Sequence, residues 1–122
     1  MSRLIVSANG ISVGTLSVEN GLWAFSYAIE REGFALSPTF PIVTRNFEDT
    51  AQVKSVEWFF ENLLPEGRLR DLIASRDRID PRDTLALLIR HGQDTAGALS
   101  LTPEWLTYLH RLYRVNVSAE LL

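Results

Sequence analysis

Two Asn-Gly pairs, Asn9-Gly10 and Asn20-Gly21, constrain this chain more than any other feature. A type I′ turn needs φ > 0 at both central residues, and Asn-Gly meets that demand at little steric cost. The pairs separate three runs that read as strands: Leu4 to Ala8, Ile11 to Ser17 and Leu22 to Ile29. In the third, Trp23, Phe25, Tyr27 and Ile29 alternate with Ala24, Ser26 and Ala28, so one face is bulky and apolar. The chain is expected to begin as a three-stranded antiparallel meander. Glu30 to Gly33 then reads as a charged turn, Phe34 to Ser37 as a candidate further strand, and Pro38 and Pro41 impose extended backbone.

Helical spacing takes over in V-K-S-V-E-W-F-F-E-N-L-L-P-E-G, Val53 to Gly67. Val53, Val56, Phe60, Leu63 and Leu64 share one stripe, and Pro65 stops the helix at Leu64. The preceding Arg45 to Thr50 reads as a loop in which Asp49 or Thr50 is the candidate N-cap. A second helix is expected over Arg68 to Ser75, burying Leu69, Leu72 and Ile73. Asp80-Pro81-Arg82-Asp83 reads as the start of a third, with Asp80 as cap, Pro81 at the first helical position and Asp83 answering back. That helix buries Leu85, Leu88 and Ile89 and ends at His91-Gly92. After a loop over Gln93 to Thr95, Gly97 to Leu101 reads as a strand returning to the sheet. Thr102-Pro103-Glu104 opens a last helix to about Tyr113, with Trp105, Leu109 and Leu112 on one side. The expected class is α+β: an N-terminal antiparallel β-meander or small sheet packed with three to four helices. A chain of 122 residues fits one domain, here 1–122, with residues 114–122 as a loose tail.

Trp58 breaks the pattern of the central helix. At about 100° per residue its indole points almost opposite the apolar stripe, among Lys54, Ser55 and Glu61. Two readings stand: a second layer of this domain's own core, or a contact with another protein, where Trp is enriched among the energetically dominant residues.

Composition removes several function classes. With no cysteine there are no disulfides, thiolate metal sites or thiol nucleophiles. The apolar run near Met1 is too short for a signal peptide, and nothing approaches the ~20 residues of a membrane span. A cytoplasmic protein is expected. The net charge of −3 argues against nucleic-acid binding by this chain alone. From Glu66 to Asp94 six arginines face six acids, an interleaved solvated surface without a phosphate-binding stripe. Kinase chemistry needs a glycine loop over the phosphates, a phosphate-holding lysine and metal-binding Asp and Asn. The only lysine is Lys54, and Gly92-Gln93-Asp94-Thr95-Ala96-Gly97 is followed by Ala98-Leu99 where a P-loop carries Lys-Ser/Thr. His91 and His110 lack a paired ligand pattern and read as helix-terminal or surface residues. The residues alone thus point to a non-enzymatic interaction module with no cofactor, no metal and no small-molecule substrate.

Several stretches occur in an order that resembles a known family: Val13-Gly14-Thr15-Leu16, Trp23-Ala24-Phe25-Ser26-Tyr27, Leu36-Ser37 with Phe40-Pro41, Phe59-Phe60-Glu61-Asn62-Leu63-Leu64-Pro65-Glu66-Gly67, and Gly92-Gln93-Asp94-Thr95-Ala96-Gly97-Ala98-Leu99. Together, over about residues 4 to 101, they resemble the N-terminal subdomain of HipA-type toxin kinases. In HipA that subdomain precedes a much larger kinase core, whereas here about 20 residues follow the last motif. The short form is similar to HipS, the small protein of three-part HipB-HipS-HipT toxin–antitoxin systems. The resemblance implies an antitoxin or modulator that binds a HipT-like kinase and restrains it, while HipB, a helix-turn-helix protein, recognises DNA for the complex. The alternatives are a non-inhibitory assembly subunit linking kinase to HipB, and a kinase remnant with no partner. Pro65, Gly67, Gly92 and Gly97 read as fold determinants. The candidate partner-binding residues are therefore the off-pattern Trp58, its neighbour Glu61, and Arg68 and Arg70 after Pro65.

Overall fold

The computed structural model describes residues 1–28, 35–95, 98–106 and 109. The meander is present as β1 (Ser2–Ala8), β2 (Ile11–Glu19) and β3 (Leu22–Tyr27). Both turns carry the two positive φ angles that their sequence demands: Asn9 51° with Gly10 83°, and Asn20 53° with Gly21 76°. A short β4 (Asn46–Glu48) pairs with β3, and β5 (Leu99–Pro103) returns to pair with β1. The sheet is antiparallel throughout, in the order β4-β3-β2-β1-β5.

One sheet face makes the core. Leu4, Val6, Leu16, Phe25 and Leu101 have no exposed surface, and Trp23 and Tyr27 are almost as deeply buried. A bulge between Val6 and Ser7 interrupts the β1–β2 register, and at that level Val13 and Gly14 are both buried. A Cβ on Gly14 would lie 2.4 Å from the Ser26 carbonyl oxygen and 2.7 Å from the Phe25 ring, so this position admits no side chain. Phe25 packs against Tyr27, Phe40 and Phe60 at centroid distances of 4.9, 6.1 and 5.6 Å. The Tyr27 hydroxyl donates to the Phe40 carbonyl at 2.7 Å and accepts the Leu36 amide at 2.8 Å, which satisfies this buried group and anchors the irregular 35–41 segment.

Three helices follow: α1 (Ser55–Glu61), α2 (Gly67–Asp77) and α3 (Thr84–His91). A 3-10 turn over Gly92–Asp94 leads out of α3. Residues 104–106 are again helical, but Thr102 and Pro103, expected to open that helix, belong to β5, paired with Ile5 and Leu4. The class is α+β, as expected.

The structure corrects several local expectations. Residues 35–37 form no strand; the extra strand is β4, inside the expected Arg45–Thr50 loop. Its three residues carry one apolar side chain, Phe47, too little for an alternation signal. α1 is shorter than the apolar stripe. Val53 lies before it, 55% exposed, because the Thr50 hydroxyl accepts the Val53 amide and holds it in a turn. Leu63 and Leu64 follow α1 in a tighter winding, with the Leu63 amide bonded to Phe60. In α2, Leu69 and Leu72 are 55% and 60% exposed, and Ala74 is the buried residue. α3 begins three residues after the expected start: Asp83, not Asp80, is its cap and accepts the Ala86 amide at 3.1 Å. Asp80 instead closes its own turn on the Arg82 amide at 2.9 Å. Ile89 is 38% exposed, and Leu87 takes the buried place beside Leu88. Ile29, the Glu30–Gly33 turn, Phe34, Gly97, His110, Leu112 and the 114–122 tail lie outside the described residues.

Candidate interaction surface

The site is built on α1, and α1 is held from the sheet. Asp49, 7% exposed just after β4, accepts the Val56 amide on Oδ1 at 2.8 Å and the Glu57 amide on Oδ2 at 2.9 Å. Its own amide donates to the Trp23 carbonyl of β3 at 2.8 Å. The carboxylate satisfies two otherwise orphan N–H groups at the positive end of the helix. The sequence identified Asp49 as a cap residue but not the distance from which it acts: Lys54 stands at the N-cap position and makes no side-chain cap bond. With Val56 and Phe60 buried on the sheet side, the helix cannot roll.

Trp58 therefore points out, 68% exposed. It is not part of a second core layer among the described residues. It forms a ridge between two shallow clefts: one bounded by Gln52, Val53, Lys54 and Glu57, the other, of about 310 Å³, by Glu61, Asn62, Glu66 and Arg70. Trp58, Glu61 and Arg70 are thus brought together around the second cleft, and Arg68 is exposed on the first turn of α2.

Arg70 is the most committed of the four candidates. Its Nε donates to the Pro81 carbonyl at 2.9 Å, one terminal nitrogen to Thr84 Oγ1 at 3.0 Å and the other to Glu61 Oε1 at 3.2 Å. Its side chain is only 14% exposed. One planar guanidinium ties the end of α1, the α2–α3 turn and the start of α3 together, a use that fits its fixed fork of donors.

A second feature, which the sequence reading missed, lies beyond Asn62. A groove of about 490 Å³ runs between the α1–α2 turn, α2 and α3, lined by Leu63, Leu64, Leu69, Ile73 and Leu87 with His91 and Asp94 at its polar end. Leu72 stands exposed beside it. The exposure of Leu72, though not the groove, follows from helix geometry: residues 72 and 74 are about 160° apart, so Leu72 and Ala74 cannot both face the core.

Where α2 and α3 end, His91 Nε2 lies 2.5 Å from Asp77 Oδ2, with Arg76 and Arg90 at 3.4 and 3.9 Å. The hydrogen bond from Arg76, helped by that from His91, holds the Asp77 carboxyl below the ordinary aspartate value despite its burial. Among the described residues no three His, Asp or Glu side chains converge as metal ligands, and no helix is long and apolar enough to cross a membrane.

In sequence and fold the chain is similar to known proteins. The sequence profile of the HipA N-terminal domain matches residues 4–102. The chain is 30% identical over 95 residues to an uncharacterized protein of Haemophilus influenzae, covering 78% of this chain and 86% of that one. It is 33% identical over 75 residues to the serine/threonine-protein kinase toxin HipA of Shewanella oneidensis, covering 62% of this chain but 16% of the kinase. Among solved structures, an N-terminal domain of HipA toxin superposes with a TM-score of 0.66 at 27% identity, covering 85% of this chain and 93% of that one.

Proposed function

Because the chain belongs to the HipA N-terminal domain family, we propose that it acts by binding and not by catalysis, as an antitoxin or modulator of a HipT-type serine/threonine toxin kinase. The family places it in a toxin–antitoxin context. In this reading a HipB-like helix-turn-helix protein supplies DNA recognition, and this chain contributes the contact that restrains the kinase. The match to the toxin of Shewanella oneidensis covers 16% of that kinase, which supports a role outside phosphoryl transfer.

The observation that carries the proposal is the presentation of Trp58. An exposed indole on a flexible loop would lose ordering entropy on binding. This one stands on a helix fixed by the Asp49 cap and by Phe60, with Glu61 and Arg70 locked beside it. A large rigid side chain has little freedom left to lose, the property that makes Trp a dominant contact.

The test is a titration of purified HipT-type kinase with wild-type protein and with Trp58→Ala, alongside a kinase assay. Wild type should bind and lower kinase activity. The variant should bind about 2 kcal/mol or more weakly, roughly a 30-fold loss. Binding without inhibition would replace restraint with a pure assembly role, and no binding at all would sink both.

A further inference from the structure

The face of α2 opposite its packing side has a character of its own. Its inward side is fixed by Ala74, wholly buried, and by the Arg70 and Asp77 side chains. Leu72 points about 160° away from Ala74, and Arg68 and Arg76, four residues before and after it, lie about 40° to either side. Leu69, about 60° from Leu72, forms the shared wall between this ridge and the groove. Leu69 and Leu72 are more than half exposed, as is the Arg76 side chain at 68% although its Nε reaches Asp77. Of the two acids on α2, Asp77 is turned inward to His91 and Asp71 lies at the edge of the face, about 100° from Leu72. An apolar ridge flanked by two arginines thus sits beside an apolar groove.

We propose that this face docks an acidic amphipathic helix of a protein partner. One apolar side chain enters the groove beside Leu69 and Ile73, its neighbour one turn on packs against Leu72, and carboxylates on the flanks meet Arg68 and Arg76. Charge complementarity selects this occupant: apolar anchors at helical spacing satisfy the leucines, and carboxylates on the helix meet exposed Arg68 and the exposed side chain of Arg76, which also reaches Asp77. The groove is concave, which fits a helix better than a flat membrane surface. The groove adjoins the second Trp58 cleft and shares Asn62 and Arg70 with it, but Trp58 itself does not line it.

The test uses the isotopically labelled full chain and three probes: a synthetic helical peptide with Leu at its a and d positions flanked by Glu, the same peptide with Lys for Glu, and phosphatidylglycerol-containing vesicles. The acidic peptide should move the methyl signals of Leu69, Leu72 and Ile73 saturably. Binding should weaken about tenfold or more in Leu72→Gln, in the Arg68→Gln/Arg76→Gln double variant and for the Lys peptide. These substituted residues are exposed, so a melt should show the variants folded. Trp58→Ala should leave the peptide titration unchanged, which separates this proposal from the kinase-binding reading. No methyl shift at about 1 mM peptide, equal binding of both peptides, or preferential binding of vesicles would overturn it.

Discussion

Asp49 holds the amide of Val56 at 2.8 Å across seven residues of chain, and through that bond the edge of the sheet sets where α1 begins. The same side chain takes the Glu57 amide, and its backbone is bonded to Trp23. Asp49→Ala should cost about 2 kcal/mol, the upper end of cap losses, because two amides lose their acceptor near a buried site. Urea denaturation measures it. A loss below about 0.5 kcal/mol would mean that Lys54 and solvent can end the helix unaided.

Arg70 should not be replaceable by lysine. A single ammonium cannot reproduce separate bonds to Pro81, Thr84 and Glu61, so Arg70→Lys is expected to lose about 1–3 kcal/mol of stability. The discriminating measurement is a double-mutant cycle with Thr84→Val: coupling above about 0.5 kcal/mol supports the contact, and simple additivity refutes it.

Gly92 tests sterics in isolation. Its φ of −62° suits any residue, yet an added Cβ would come within 2.9 Å of Leu101 Cβ and 3.0 Å of the Leu101 carbonyl oxygen. Gly92→Ala should therefore destabilise by about 1–3 kcal/mol through overpacking between α3 and β5. A neutral or raised melting temperature would show that β5 can shift to admit the methyl group.

The acid limb of stability should depend on Asp77. Hydrogen bonding to Arg76 and His91 lowers its folded-state pKa, so its contribution is present above the unfolded value, near 3.8, and is lost as pH falls through the folded value. Asp77→Asn should flatten the stability–pH slope below about pH 4. Chemical denaturation at a series of pH values gives both slopes, and identical slopes would dismiss the pairing as energetically idle.

The sequence carried the parts of this fold that local chemistry decides. The Asn-Gly hairpins, the Trp23-Phe25-Tyr27 face and the Val56-Phe60 side of α1 are direct consequences of turn strain and periodicity. Its failures came where two local signals compete. Asp80-Pro81 and Asp83-Thr84 are both acceptable helix starts, and the Asx turn at Asp80 leaves Asp83 as the cap. In α2, three large apolar residues suggested an inward face, but the packing side belongs to Arg70 and Ala74, because only a long fork reaches Pro81, Thr84 and Glu61 at once. The exposure of Trp58 was legible from its angle. The groove beside it was not, since its walls come from three separate segments.

The pairing of β1 with β5 imposes an order on assembly. Ala8 lies opposite Leu99, so closing that ladder joins positions about ninety residues apart, at an entropic cost of ~4 kcal/mol beyond that of initiating a loop. The hairpins can form as soon as they leave the ribosome, yet β1, carrying Leu4 and Val6, keeps one unpaired rim until α3 has delivered β5. That rim is a template for strand addition by any neighbouring nascent chain. On that side β1 is protected by β5 alone, and a molecule interrupted before Leu99 would be sticky even though its meander and central helix were complete.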